Sequence, residues 1–343
     1  MRFNQTYFSF CCLGFFLLSC SEDEGTKPVE LEISKGNMVL ICNEGNFRWG
    51  NASVGLLNLK SNVWVENAFQ SINKRALGDV LQSASFWNNA WYLVVNNSSK
   101  IEAVSSEDFV VQKTITGLLS PRFLLPINNN KAYVSDIYAR KIWILNQTST
   151  SAVGSISFPG SSEEMVLYQN EAWISCRNKA KVFVVNTATD QLTDSISIPG
   201  NCTSIASSGN GKIWLGFEAN GDKKAGILSI NPISKLVEKV YYSNESNFYP
   251  SRFQMSATGD SLFFMHNGAF MIQAGDSDFP TKNLAEGYAG NWYGMGFDPK
   301  RSEIYLSDAK DFMQKSRILI INLKSGLKTE RTAGIISSRF YFW

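Results

Sequence analysis

The chain has 343 residues, of which 44% are hydrophobic and 18% are charged, and its formal net charge is +2. This composition is typical of a globular protein, and the absence of a basic stripe argues against a nucleic-acid binder. The single histidine, His266, excludes any catalytic or metal site that needs two or more imidazoles.

Residues 1–19 have the pattern of a bacterial lipoprotein signal peptide. Arg2 gives a short positive end, and Tyr7 to Leu18 form an apolar stretch that is too short to span a bilayer as a helix. Cys20 follows in a sequence that resembles a lipoprotein cleavage box. We therefore predict that Cys20 is lipidated and that residues 20–36 form a flexible tether. The alternative is a plain secretory signal in which this cysteine is incidental.

From residue 37 to residue 343 the chain repeats one unit of strand-like segments. The clearest copy, residues 121–160, has four short apolar runs separated by turns rich in Asn, Ser, Asp and Gly. Its second run, KAYVSD at 131, recurs as MVLICN at 38, WYLVVN at 91, EAWISC at 171, KIWLGF at 212, SLFFMH at 261 and EIYLSD at 303. Seven units with four antiparallel strands each predict an all-β, seven-bladed β-propeller over residues 37–343.

The two ends of the repeat region complement each other. The first unit begins at its second strand, whereas the last unit is followed by an additional run, IISSRFYFW. Within that run Ser338-Arg339-Phe340 matches Pro121-Arg122-Phe123 and Ser251-Arg252-Phe253, which open the first strands of two other units. We therefore predict that the C-terminal strand completes the N-terminal blade and closes the ring, which would leave no open sheet edge.

Cysteine spacing argues against a disulfide framework and against a zinc site. After the leader and Cys20, only Cys42, Cys176 and Cys202 remain, without a C-x-x-C pair. We predict that Cys42 is a core residue, and a disulfide between the other two stays open. No metal ligand set and no cofactor are predicted, although a calcium site built from carboxylates and amides needs no signature spacing.

The repeat register predicts a ring of arginines at the channel mouth. Arg122 and Arg252 each lie fourteen residues before the end of the second strand of their unit, which is near the start of its innermost strand. Arg339 of the closing strand takes the same position in the ring. Three guanidinium groups on one face suit a carboxylate or a phosphate of a ligand. The alternative is that they pair with Asp136, Asp308 or Asp79 and only tie the blades together.

Loops on the same predicted face carry further large side chains. Together with the three arginines they form the predicted ligand-binding set: Phe47, Arg48, Trp49, Asn96, Asn97, Asp136, Tyr138, Arg140, Arg177, Tyr249, Trp292 and Tyr293. Aromatic rings interleaved with Arg and Asn can stack on a flat ring system and hydrogen-bond to its edge. The alternative for each aromatic residue is packing against a neighbouring blade.

Enzymatic motifs are absent from the sequence. The chain has no G-x-S-x-G, no Walker loop and no G-x-G-x-x-G after a strand. We therefore predict a non-enzymatic binding protein. Two alternatives stay open: a calcium-dependent propeller hydrolase or lyase that works through the channel mouth, and a protein–protein scaffold on the cell surface.

Several stretches resemble one protein family. Asn43-Glu44-Gly45-Asn46-Phe47, Leu77-Gly78-Asp79-Val80, Val94-Val95-Asn96-Asn97-Ser98 and Ser120-Pro121-Arg122 look like segments of the YncE-like (YVTN-repeat) propeller lipoproteins of Bacteroidota. The resemblance covers residues 38–343 at the level of the repeat and is sharpest in the first two units. The acidic run Ser21-Glu22-Asp23-Glu24 is similar to the surface-export signal of Bacteroidota lipoproteins.

The resemblance implies a location and a ligand class. Some members of this family are surface-exposed corrinoid-binding proteins that sit over a TonB-dependent vitamin B12 transporter. By that resemblance, the chain would be anchored in the outer membrane, face the cell exterior, capture a corrinoid on its top face and pass it to such a transporter. The resemblance marks no corrinoid-contacting residue, so the predicted binding set rests on register and side-chain chemistry alone.

Overall fold

The computed structural model describes residues 32–208, 211–245 and 247–343. The predicted signal peptide and Cys20 lie outside these residues. The described residues form one compact unit. At the end of the predicted tether, the carbonyl of Glu32 accepts a hydrogen bond of 2.7 Å from the Asn58 side chain. Within the described part of the chain, no helix is both long enough and apolar enough to cross a bilayer.

The described residues form β-strands and one short α-helix. The first half of the chain contains β1 Met38–Asn43, β2 Ser53–Asn58, β3 Trp64–Val65, helix α1 Ala68–Asn73, β4 Leu81–Trp87, β5 Ala90–Val95, β6 Lys100–Ser105, β7 Val111–Ile115, β8 Pro121–Asn128, β9 Lys131–Asp136, β10 Lys141–Asn146, β11 Gly154–Ser157, β12 Ser162–Tyr168 and β13 Glu171–Cys176. The second half contains β14 Lys181–Asn186, β15 Gln191–Ser197, β16 Cys202–Ser207, β17 Ile213–Phe217, β18 Gly226–Ile230, β19 Val237–Tyr242, β20 Ser251–Met255, β21 Ser261–Met265, β22 Ala269–Gln273, β23 Trp292–Asp298, β24 Glu303–Asp308, β25 Lys315–Asn322, β26 Lys328–Ile335 and β27 Ser337–Phe342.

These strands form consecutive antiparallel sheets of a propeller-like fold. Four sheets have four strands each, β4–β7, β8–β11, β12–β15 and β16–β19, and a fifth has the three strands β20–β22. The remaining strands form an eight-stranded sheet in the order β26-β25-β24-β23-β27-β1-β2-β3. Each of the five smaller sheets therefore corresponds to one sequence unit, and its neighbouring strands are joined by short turns.

Buried clusters between neighbouring sheets form the core. Tyr133 and Val134 are adjacent in β9 and face opposite sides of their sheet, as expected for a strand. Val134 belongs to one fully buried cluster with Val94 of β5, and Tyr133 belongs to another with Ile174 of β13. Because each sheet is apolar on both faces, its position is fixed by its two neighbours, and its first strand is held at the centre.

The prediction of an all-β propeller is confirmed, but the count of seven four-stranded blades is wrong. The structure has five separate blade-like sheets and one eight-stranded sheet. The sheet β20–β22 lacks a fourth strand because the segment that follows, residues 274–291, is rich in Gly, Asp and Asn and forms turns. The repeat of the second strand shows where units occur, but it does not show which sheets merge or lose a strand.

The predicted role of the C-terminal strand is not confirmed either. β27 does not complete a separate N-terminal blade: it lies inside the eight-stranded sheet, antiparallel to β1 and joined to β23 by the single parallel pair of Met295 and Arg339. Glycines allow this close approach, because a Cβ on Gly294 would lie 2.6 Å from the Ser337 carbonyl oxygen. Likewise, a Cβ on Gly296 would lie 2.5 Å from the Cβ of Phe340.

We expect Phe340→Ala to destabilise the fold by about 3–5 kcal/mol. Phe340 is 4% exposed in β27, and its ring centroid lies 5.8 Å from that of Tyr305 in β24. Urea denaturation of the purified variant would measure the loss. The control is Phe47→Ala, because Phe47 is 60% exposed and its removal should change the free energy of unfolding by less than about 0.5 kcal/mol. Equal effects of the two substitutions would contradict the packing of β27 described here.

Candidate functional site

A cavity of about 640 Å³ lies where the first strands of the sheets converge. Each sheet contributes side chains from near the start of its first strand. These are Gln82, Arg122, Glu163, Glu164, Thr203, Arg252, Tyr293 and Arg339. We call this space the central cavity. Its volume is within the usual range for small-molecule sites, roughly 300–1,000 Å³.

Irregular strand pairing brings these side chains into the central cavity. The register shifts at the start of the first strands, for example between Leu81 and Ser83 in β4, and between Ser251 and Gln254 in β20. A shift of this kind leaves a residue without a partner and redirects its side chain. Arg252, within such a shift, has a φ of +58°, in the left-handed region that non-glycine residues seldom adopt.

Two of the three predicted mouth arginines are paired with glutamates. The Nε of Arg122 lies 2.8 Å from the Oε2 of Glu163, and an Nη of Arg339 lies 2.5 Å from the Oε1 of Glu164. Arg177 approaches Glu163 from the rim at 3.6 Å. The partners are therefore not Asp136, Asp308 or Asp79, which the sequence suggested. The two glutamates lie in the irregular start of β12, in the register shift between Ser162 and Met165.

Glu164 is held as a carboxylate. Burial alone would raise its pKa, but Arg339 and the hydrogen bonds that it accepts from the Ser204 hydroxyl at 2.6 Å and the Ile205 N–H at 3.0 Å outweigh burial. The pKa of Glu164 therefore lies below its usual value. Consequently the Glu164–Arg339 pair stays charged at neutral pH and joins β12 to β27 across the central cavity.

Arg252 has no carboxylate partner. Its Nε donates a hydrogen bond of 3.2 Å to the Tyr293 carbonyl, and its guanidinium carbon lies 5.4 Å from the centre of the Tyr293 ring. Among residues 32–343, the few undescribed positions aside, no Asp or Glu oxygen lies within 4.0 Å of this guanidinium. Burial and the nearby charge of Arg339 lower the pKa of Arg252. This half-buried cation therefore has no carboxylate at ion-pair distance within the described part of the protein, and Glu44 and Glu164 act on it only from farther away.

The lining of the central cavity carries a net positive charge. Four arginines, Arg122, Arg177, Arg252 and Arg339, face three glutamates, Glu44, Glu163 and Glu164. Glu44 accepts a hydrogen bond of 2.9 Å from the Tyr293 hydroxyl, whose pKa burial and Glu44 raise to about 12. The lining therefore has one positive charge in excess.

Aromatic side chains surround the charged groups. Phe47, Phe123, Tyr249, Trp292 and Tyr293 line the central cavity. Phe47 is 60% exposed and Tyr249 is 39% exposed, so both present ring faces or edges at the rim. Such rings can cover a flat or apolar part of a ligand whose anionic group reaches Arg252.

Nine residues of the predicted binding set line the central cavity. They are Phe47, Asn96, Arg122, Arg177, Tyr249, Arg252, Trp292, Tyr293 and Arg339. Glu44, Glu163 and Glu164 line it too but were missed. Their signal in the sequence was weak, because acidic residues at this depth are expected only where cations oppose them.

The other predicted residues lie outside this lining. Trp49 and Tyr138 are 66% and 72% exposed, and Arg48 and Arg140 are also at the surface. Asn97 donates a hydrogen bond to the carboxylate of Asp79.

Asp136 has a structural role. It is fully buried, and its carboxylate accepts hydrogen bonds from the backbone N–H groups of Ser120 at 2.8 Å and Ala139 at 2.9 Å, and from the Trp143 indole at 3.0 Å. Asp136 therefore fixes the segment that leads into β8 and the turn that follows β9.

Other polar and sulfur groups near this face are also occupied or buried. The amide of Asn96 donates to Ser120 and Pro121, both at 2.9 Å. His266 bonds through its two ring nitrogens to the Tyr249 N–H at 3.2 Å and to Glu245 at 2.9 Å. Cys176 and Cys202 are free, buried thiols. Within the described ranges, no three His, Cys, Asp or Glu residues are grouped so that they could hold a metal ion.

Comparison with known families gives a match over nearly the whole described chain. Residues 37–342 match the family described as "Domain of unknown function (DUF5074)". The chain belongs to the DUF5074 family. No curated protein matches it. The resemblance to YncE-like propeller lipoproteins stays a prediction.

Solved structures similar to this DUF5074 protein share its propeller-like fold. A quinonprotein alcohol dehydrogenase-like protein from Bacteroides thetaiotaomicron superposes with a TM-score of 0.69 at 12% identity, covering 90% of this chain and 78% of the other. A protein from Lactobacillus plantarum gives 0.67 at 10% identity, with 90% and 99% covered. Dihydro-heme d1 dehydrogenase NirN in complex with DHE gives 0.60 at 9% identity, with 91% and 76% covered. At such identities the likeness concerns the fold alone.

We expect Glu164→Gln to destabilise the DUF5074 fold at pH 7 by about 3 kcal/mol, because it leaves Arg339 buried without a counter-ion. The lowered pKa of Glu164 stabilises the fold above the unfolded value of about 4.3, and this contribution is lost as the pH falls through the folded value. The variant should therefore lose less stability than the wild type on acidification. Urea denaturation across that pH range measures both effects.

The matched control for this prediction is Glu66→Gln. Glu66 pairs with Lys315 at 2.8 Å, but both side chains are more than one third exposed. Removing this pair should cost less than about 1 kcal/mol. If Glu164→Gln cost no more than the control, the cross-cavity pair would not stabilise the fold.

Proposed function

We propose that this protein is a non-enzymatic binding protein that captures a small anionic ligand in the central cavity. A propeller-like fold supports a binding or scaffold role, and the cavity supports the first of these. The ligand would place its acidic group against Arg252 and an apolar or flat part against the aromatic rim. The channel mouth would recognise the ligand without any covalent chemistry.

The observation that carries the proposal is the unpaired guanidinium of Arg252. A half-buried cation without a directly paired carboxylate is costly, since burying a charge is favourable only when the charge is paired. The left-handed backbone at Arg252 adds conformational strain. An incoming carboxylate or phosphate would complete the charge balance of the lining and accept hydrogen bonds from the guanidinium group. We infer that the cost in the free protein is offset when an anion binds.

A corrinoid is the ligand that we propose on grounds of chemistry and family resemblance. It combines a flat macrocycle, amide side arms and, in cobalamins, a phosphodiester. The phosphodiester suits Arg252, and the macrocycle suits the rim formed by Phe47 and Trp292, which line the cavity mouth. Because the cavity measures about 640 Å³, the macrocycle would lie across the mouth and only the nucleotide arm would enter.

We further propose that the protein acts at the cell surface. The leader with Cys20 supports a lipid anchor in the outer membrane, and the acidic run after it supports exposure to the cell exterior. The family resemblance supports transfer of the captured ligand to a TonB-dependent transporter.

We expect Arg252→Gln to weaken cyanocobalamin binding about 10- to 100-fold, because a charge-assisted hydrogen bond contributes roughly 1.5–3 kcal/mol. Calorimetric titration of residues 21–343, which contain the compact unit, measures this change. Dicyanocobinamide lacks the phosphodiester. Its affinity should therefore differ little between the wild type and this variant, which separates loss of the anion contact from general damage to the cavity.

The matched control is Arg140→Gln, which removes an exposed arginine of the predicted set that does not line the central cavity. Its affinity for cyanocobalamin should stay within about twofold of the wild type. The role of Arg252 would be contradicted if both variants lost the same affinity for cyanocobalamin. It would also be contradicted if Arg252→Gln lost the same affinity for cyanocobalamin and for dicyanocobinamide. If the wild-type protein bound no cyanocobalamin, the corrinoid assignment would be wrong.

A further inference from the structure

Two further cavities lie at the outer part of the sheets β12–β15 and β16–β19. Their volumes are about 550 and 590 Å³, and they adjoin at Ser197 and Ile198, which line both. We call the two together the outer groove. Its apolar lining consists of Pro159, Ala180, Phe183, Ile198, Pro199, Val237, Val240 and Tyr242. None of these residues lines the central cavity.

The charged lining of the outer groove is entirely basic. It consists of Lys179, Lys181, Lys223 and Lys224, and no Asp or Glu lines either cavity. Two of these lysines contact neutral groups: the Nζ of Lys181 lies 3.4 Å from the Ser195 hydroxyl, and the Nζ of Lys224 lies 2.8 Å from the Asn244 side-chain oxygen. In the described part of the chain, none of the four forms an ion pair within 4.0 Å.

The apolar surface of the groove is partly open to solvent. Val237 is 39% exposed and Tyr242 is 49% exposed, both in the outermost strand β19. Some lysines elsewhere on this protein are paired with acids, for example Lys212 with Glu238 at 3.1 Å and Lys235 with Glu171. An exposed apolar surface that is bordered only by positive charges attracts a molecule that is both apolar and anionic.

We propose that the outer groove is a second binding site, for a long-chain carboxylate. The hydrocarbon chain would lie along Val237, Val240 and Phe183, and the carboxylate would lie among the lysines of the two loops. Burial of the chain contributes about 0.8 kcal/mol for each CH₂ group. This site is independent of the central cavity and of the ligand proposed there.

The chemistry of the lining favours this occupant over two others. A second copy of the chain would bring the same four lysines to the contact, and like charges repel. An acidic peptide would bring backbone N–H and C=O groups that need partners. The lining side chains offer it only ammonium donors and the hydroxyls of Ser197 and Tyr242. A hydrocarbon chain has no such requirement.

The test is a calorimetric titration of residues 21–343 with decanoate below its micelle concentration, next to decyl maltoside and decyltrimethylammonium. These probes share the chain and differ in head-group charge. We expect decanoate to bind at least about tenfold more tightly than either of the others, because charge complementarity selects the anion. Equal binding of all three would overturn the proposal, since it would show apolar contact alone. No binding of decanoate would overturn it as well.

Variants locate the site. Lys223→Gln/Lys224→Gln should weaken decanoate binding at least about tenfold, whereas Lys60→Gln/Lys324→Gln, with the same change in net charge at exposed positions outside the groove, should change it less than about twofold. Val237→Asp places a carboxylate in the groove at an exposed position and should also abolish the preference for decanoate. Unchanged binding in these groove variants would overturn the assignment. Stronger binding of a peptide with alternating Glu and Leu than of decanoate would overturn the choice of occupant.

Discussion

The central cavity depends on the irregular pairing at the start of the first strands. Regular alternation would send the side chains into the spaces on the two sides of each sheet, which are apolar and filled. The register shifts release residues such as Gln82, Thr203 and Arg252 from this alternation and give the channel a polar lining. Apolar packing resumes a few residues later, at Leu124 in β8 and Met165 in β12. The fold can therefore vary its lining without disturbing its core.

The charges of this lining divide into a structural and a free part. Glu163 and Glu164 are adjacent in β12 and hold arginines from two different sheets, Arg122 and Arg339. These pairs link strands, and each arginine has a carboxylate at ion-pair distance. Arg252 instead contacts a carbonyl and a ring face, which are weaker partners for a cation than a carboxylate. Because a purely structural design would gain from pairing or removing it, Arg252 is the residue of the lining that points to a ligand.

Much of the fold could be predicted from the sequence, because strand length and turn chemistry are local properties. The second strands begin at Met38, Lys131 and Glu303, as the repeat indicated. The joining of β23–β26 with β27 and β1–β3 in one eight-stranded sheet could not be predicted. It depends on how closely Gly294 allows β27 to approach β23. In the site, residue register located Arg122, Arg252 and Arg339, but pairing depends on side-chain reach across the channel. Asp136 was expected at the mouth, but it is buried at the end of β9, where its carboxylate binds backbone N–H groups instead of an arginine.

The contacts of β27 also constrain the order in which the molecule can assemble. Val39 pairs with Phe342, and Glu164 binds Arg339 across 175 positions of the chain. Contacts this distant in sequence form late, because closing a long loop costs entropy before any contact compensates for it. During synthesis the separate sheets can form one after another, but the lining that surrounds Arg252 stays incomplete until β27 has emerged. A chain made only as far as β26 would therefore be folded in places and would still lack the complete lining of its central cavity.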